Sequence, residues 1–133
     1  MIKHMQLRAA VLAALRAAIT EHTTFLDGRP VALASDSLPA IAVYISDAQL
    51  VENALDEALW QANLHVALFE QAGSPDSTLD EKMAQKISPV LMSVSALKES
   101  TETFSTQRYD YRLDEEGSIW RSADLEFSIT YYQ

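Results

Sequence analysis

Residues 60–69 constrain the fold more than any other stretch. Trp60, Ala62, Leu64, Val66 and Leu68 fall on one side of an extended chain, and Gln61, Asn63, His65, Ala67 and Phe69 on the other. Side chains of a strand point alternately to opposite faces, so this pattern specifies a strand with one face against the core. The chain is 133 residues long, which suits one domain over 1–133. At that size it can bury about two-thirds of its unfolded surface without staples. Hydrophobic residues make up 48 % of it, which argues against disorder.

Two segments carry the helical period. Leu7, Val11, Leu15 and Ala18/Ile19 form one stripe over 5–19, with Arg8 and Arg16 on a more polar side. The second stripe is Leu79, Met83, Ile87 and Val90/Leu91, with Ser77 as the expected N-cap. Pro89 falls inside that pattern, so the helix is expected to kink or stop near Ser88, with a short helical piece over about 90–98. A short strand pair is expected around Phe25–Val31, with Asp27-Gly28 as its turn, followed by a strand over Ile41–Ile45 with Ile41, Val43 and Ile45 on one face. Residues 47–58 fit either a long loop or a short helical turn. The C-terminal end reads as a hairpin, with Arg108–Leu113 and Ala123–Tyr132 joined by the turn Asp114-Glu115-Glu116-Gly117-Ser118. The predicted order is α, short β pair, β, β, α, β, β. The fold class is α/β in the α+β sense: a mostly antiparallel or mixed sheet with two main helices on one face.

Chemistry is scarce. There is no Cys, which excludes disulfides, thiolate metal sites and cysteine nucleophiles. Three glycines, at 28, 73 and 117, cannot build a phosphate loop or a dinucleotide fingerprint. No G-x-S-x-G elbow occurs. His4, His22 and His65 have no helical ligand spacing to one another, and His65 is expected at the surface or at a sheet edge. No pairing of histidine with carboxylates, nor of carboxylates on adjacent strands, is visible, which counts against a small divalent-metal hydrolase. A net charge of −9 disfavours a general nucleic-acid binder. No apolar stretch approaches the roughly 20 residues of a membrane span, and the N-terminus reads as an amphipathic helix, not a signal peptide. Composition alone stops at a soluble, acidic, intracellular domain.

Two features stay open at this level. Asp110 with Asp114-Glu115-Glu116 is either a solvated hairpin tip or an acidic patch that meets a neighbouring subunit, directly or through a shared divalent cation. Arg29, Arg108, Arg112 and Arg121 are the candidate cationic partners. Trp60 keeps phase with Leu64 and Val66 and belongs to the core. Trp120 either covers the end of the sheet or anchors a partner.

Taken in order, several segments resemble the minor tail protein U family, the tail terminators of lambda-like long-tailed phages. They are Leu7–Leu12, Phe25–Pro30, Leu38–Tyr44, Trp60–His65, Pro75–Ser77, Tyr109–Arg112, Trp120–Leu125 and Ile129–Tyr131. The resemblance runs almost end to end and is weakest over 46–58 and 95–107. It implies one terminator domain, an α/β fold and a structural role with no catalytic residues and no cofactor. It implies a homo-hexameric ring on the end of the tail tube that stops polymerisation and offers the surface for head joining. The implied partners are further copies of the chain, the tail tube protein and the head–tail joining protein. DNA only passes through the lumen, no membrane is involved, and the implied location is the virion tail, reached from the host cytoplasm. The interface residues expected from the sequence are Asp27, Arg29, Arg108, Asp110, Arg112, Asp114, Glu115, Glu116 and Trp120. The competing reading is a monomeric adaptor that docks a protein through its hairpin edge.

Overall fold

The computed structural model describes residues 1–53 and 56–133, with Ala96 described in backbone alone. Helix α1 (Ile2–Ala18) comes first, then strands β1 (Thr24–Asp27), β2 (Ala40–Asn53) and β3 (Ala58–Gln71). Helix α2 (Asp76–Lys82) leads through a π-helical stretch, Met83–Ile87, into α3 (Ser88–Ser93) and α4 (Ser95–Ser100). Strands β4 (Thr103–Leu113) and β5 (Trp120–Tyr132) close the chain. The strands form one mixed sheet in the order β1-β2-β3-β5-β4, with β1 parallel to β2 and the other pairs antiparallel.

The core lies between the helices and one face of this sheet. Leu7, Val11, Leu12, Leu15 and Ile19 from the α1 region meet Leu79, Met83, Ile87 and Leu91 from the second helical run. Both cover Ile41 and Val43 of β2, Ala62, Leu64, Val66 and Leu68 of β3, and Ala123, Leu125, Phe127, Ile129 and Tyr131 of β5. Each large apolar side chain fully buried here contributes about 1.5–3 kcal/mol relative to exposure. Both predicted helical stripes and the β3 stripe are therefore realised. Trp60 packs partly buried against the same core, as expected. His4 hydrogen-bonds the Tyr131 hydroxyl and meets its ring edge-on, which fastens the start of α1 to β5.

Three local expectations change, and a fourth is met in part. Residues 47–53 are neither loop nor helix but the distal half of β2, paired through Asn53↔Ala58; 54 and 55 lie outside the described residues. β4 likewise begins at Thr103, well before the expected Arg108. Pro75, not Ser77, occupies the N-cap position of α2, so the helix starts at Asp76. Near Pro89 the helical run does not stop, but the expected distortion at Ser88 is present: regular α-helix gives way to a π turn over Met83–Ile87 and resumes at Ser88. Proline lacks an N–H and crowds the carbonyl four residues back. The turn ahead of it widens instead, and the Ser88 N–H bonds the Met83 carbonyl in the π pattern.

The second face of the sheet is also partly buried, contrary to the one-faced expectation. The turn at Asp27-Gly28 does not fold back into a second short strand as expected: β1 pairs in parallel with β2, which needs a crossover of about a dozen residues, and Gly28–Pro39 supplies it. Gly28 opens the crossover at φ +110, a conformation that strains any other residue. The crossover lays Leu33 and Leu38 over Ala40, Ala42, Tyr44, Ala67 and Phe69 as a second, smaller core.

Candidate functional site

The second face carries the polar network of the molecule. Tyr44, on β2, stacks on the His65 ring, on β3, with centroids 4.5 Å apart and planes 7° from parallel. The Tyr44 hydroxyl donates to Asp124 Oδ2 at 2.6 Å, from β2 to β5 across the sheet. His65 Nδ1 lies 3.0 Å from the same oxygen, and its Nε2 is 2.7 Å from Ser46 Oγ and 3.5 Å from Glu126. Three strands are thus tied through one carboxylate that is 4 % exposed.

Burial pushes the Asp124 carboxyl upward. The hydrogen bonds from His65 and Tyr44, together with the His65 and Arg112 charges, outweigh it and hold Asp124 below the ordinary carboxylate value. Tyr44 is pushed up to about 12, by burial first and then by its bond to Asp124, against the opposing pull of Arg29.

Two sequence expectations are corrected here. His65 is neither at the surface nor at an edge; it is 7 % exposed on a central strand. A histidine–carboxylate grouping on adjacent strands does exist, formed by His65, Asp124 and Glu126. The sequence hid it because His65 and Asp124 are far apart along the chain and meet only through the Ala67↔Asp124 and His65↔Glu126 register. The one usable signal was the alternation itself, which puts His65 in phase with Ala67 and Phe69. Among the described residues no group of three or more His, Asp or Glu side chains is arranged to hold a metal ion.

Beside the network lies a cleft of about 180 Å³ lined by Arg29, Pro30, Tyr44, Phe69, Arg112, Trp120 and Asp124, among others. It brings together three of the residues singled out from sequence. Arg29 lies over the Tyr44 ring at 4.8 Å from its centroid. Trp120 meets Phe69 edge-on at 5.0 Å and so caps the second core while its flank lines the cleft. Arg112 bonds Asp110 Oδ2 at 3.1 Å, and Arg108 approaches the same oxygen at 4.0 Å.

The remaining expected residues have separate places. Asp27 bonds Arg8 of α1 at 2.6 Å, which locks β1 to the helix. Asp114 is part of the hairpin turn: Oδ2 accepts the Ile119 N–H at 3.1 Å, and the Asp114 carbonyl accepts from Gly117. Glu115 and Glu116 are exposed at the tip. Arg121 reaches Asp76 at the start of α2 instead of the acidic tip. Sequence reasoning missed Tyr44, Ser46, His65 and Asp124. It also missed Asp80, which accepts both the Tyr109 hydroxyl (2.8 Å) and the Tyr111 hydroxyl (2.7 Å) and pins β4 to α2.

Among the described residues no helix is long and apolar enough to cross a membrane. Residues 2–131 match the family model for phage minor tail protein U. The chain is 42 % identical over 130 residues to the tail tube terminator protein of Escherichia phage N15, covering 98 % of each chain. It is 43 % identical, with the same coverage, to the tail tube terminator protein of Escherichia phage lambda. Among solved structures, a chain from the virion of a native gene transfer agent particle aligns with a TM-score of 0.48 and 14 % identity, over 95 % of this chain and 94 % of that one. A hydroxyl, an imidazole and a carboxylate in series, as in Ser46, His65 and Asp124, also occur in hydrolases, but here they clasp the strands of a structural tail component. The chain belongs to the phage minor tail protein U family.

Proposed function

We propose that this protein terminates the phage tail tube. Six copies close into a ring on the finished end of the tube, stop further polymerisation and offer the surface to which the filled head joins. The observation that supports this most is the match, over 98 % of both chains, to relatives named tail tube terminator. The partners in this account are further copies of the chain, the tail tube protein and a head–tail joining protein, with DNA passing through the lumen. The protein acts in the host cytoplasm during assembly and ends in the virion tail.

A closed ring needs a heterologous interface, one patch meeting a different patch on the next copy. In this account Arg29, Arg108, Asp110, Arg112, Glu115, Glu116 and Trp120 face the neighbour. Asp27 and Asp114 act indirectly, by fixing β1 and the hairpin turn. Monomers carrying −9 repel one another at low ionic strength. That repulsion delays closure until salt, a tube end or a divalent cation shared between acidic tips offsets it. An acidic lumen also repels phosphate and keeps DNA from sticking.

Native mass spectrometry across magnesium and salt concentrations, with and without tail tubes, tests the ring. The expected outcome is monomer at low ionic strength and a discrete six-fold species with magnesium or tube ends. A strict monomer under every condition, tubes included, supports a monomeric adaptor instead.

A further inference from the structure

Among the described residues the sheet is left with two long open edges. β1 covers β2 only from Ala40 to Val43, so the outer edge of β2 is free from Tyr44 to Asn53. β4 pairs only with β5, so its outer edge is free over Thr103–Leu113. Unpaired edges of this length are templates for another strand. The two run antiparallel in the sheet, since β2–β3, β3–β5 and β5–β4 are each antiparallel.

Their side chains are complementary on both faces. Directly opposed residues share a face, so the register with β3 puts Ala48 and Leu50 on the helix side and Asp47, Gln49 and Glu52 on the second face. The register with β5 puts Tyr109 and Tyr111 on the helix side and Arg108, Asp110 and Arg112 on the second face. On the second face one edge therefore carries two carboxylates. The other carries two guanidinium groups that share a single carboxylate, Asp110. On the helix side each edge exposes large apolar surface, with Leu50 at 47 % and Tyr111 at 49 % exposure.

We propose that β4 of one copy adds to the distal half of β2 of the next, so that each ring contact is an antiparallel strand pair between copies. One register satisfies both faces. It sets Asp47 opposite Arg112, Ala48 opposite Tyr111, Gln49 opposite Asp110 and Leu50 opposite Tyr109. Glu52 then falls opposite Arg108, because β2 has an irregularity between Leu50 and Glu52 that takes up the extra residue. Opposite charges on facing positions favour this pairing and set its register. The contact is head-to-tail, as a closed ring requires. It rests on the ring proposed above and names the surfaces that make it.

Two double variants test it: R108E/R112E, which makes the β4 edge acidic, and D47R/E52R, which makes the β2 edge basic. All four side chains are exposed, so circular dichroism of each monomer should match the unaltered chain. The R108E/R112E melt is expected to fall because Arg112 helps hold the Asp124 carboxylate. R108E, which leaves Arg112 in place, is therefore run beside it and should melt as the unaltered chain does while forming rings less readily. Under conditions where the unaltered chain forms rings, each variant alone is expected to stay monomeric, because like charges then face each other at every contact. Mixed one to one, the two are expected to form rings containing equal numbers of each. Alternation makes every contact either the native pair or its mirror in charge. Rings from either variant alone overturn the proposal, and so does a mixture that stays monomeric. If the unaltered chain forms no ring even with tubes, the ring itself fails, which is a separate result. Variants that form rings alone but no longer cap tubes assign these edges to the tube protein.

Discussion

Asp124 is the strongest single test of how the second face is built. Replacing it with alanine removes the acceptor of the Tyr44 hydroxyl at 2.6 Å and of His65 Nδ1 at 3.0 Å. Tyr44 and His65 are 6 % and 7 % exposed, so only water entering from the adjoining cleft can stand in for the lost partner, and it reaches Tyr44 more easily than His65. A buried polar group left unsatisfied costs about 1–3 kcal/mol, and two are left here. The expected cost of Asp124→Ala is therefore about 2–6 kcal/mol, toward the lower end where cleft water takes the place of the carboxylate. Asp124→Asn keeps one acceptor oxygen and should cost about 1–2 kcal/mol. Urea unfolding measures both, with an unchanged m-value expected because the surface exposed on unfolding is the same. A double-mutant cycle with Tyr44→Phe should return a coupling of about 1–2 kcal/mol. A cost below about 1 kcal/mol for Asp124→Ala, or a coupling near zero, would mean that the carboxylate is not what ties β2 to β5.

Three further outcomes follow from the same geometry. Phe127 is fully buried and stacks on Phe104 at 4.5 Å, so Phe127→Ala should cost about 3–5 kcal/mol in chemical unfolding; a cost under about 1 kcal/mol would contradict the core described above. Stability should depend on pH at both extremes, as thermal melts across pH would show. The Asp124 carboxyl is held below its unfolded value, so its contribution is complete above about pH 4 and is lost as pH falls through the folded value. Tyr44 is raised to about 12, so its contribution is complete below about pH 10 and is lost as pH rises toward 12. If phenolate absorbance shows every tyrosine ionising near pH 10, the buried Tyr44–Asp124 bond is wrong. Gly28→Ala places a side chain at φ +110 and should destabilise by about 1–2 kcal/mol, although nothing lies within 4 Å of the added carbon; an unchanged melting temperature would contradict the strain.

The helices and the main core were legible because their signal is local. Leu7–Val11–Leu15 and Leu79–Met83–Ile87 repeat with the helical period, and Ala62–Leu64–Val66–Leu68 with the strand period. The distal half of β2 was not legible, because Asp47–Asn53 is polar on one side and its larger apolar residues, Leu50 and Val51, are exposed. Its strand character comes from pairing with β3, not from burial. The second face was hidden for a related reason. Its cover is a loop with no periodicity, and the strand beneath reads as half polar because His65 is a polar residue at a buried position. Asp124 likewise reads as the solvent phase of β5 until Tyr44 and His65 are placed above it. Of the residues expected at an interface, Arg29, Arg112 and Trp120 converge on one cleft. Arg108 and Asp110 share the same face of the edge strand, while Asp27 and Asp114 are occupied within the chain.

Tail length in the absence of this protein tests termination most directly. Electron microscopy of tails assembled without it should show tubes that run well past normal length and fail to join heads, with both defects corrected when the purified protein is added. Tails of normal length that accept heads without it would contradict the account.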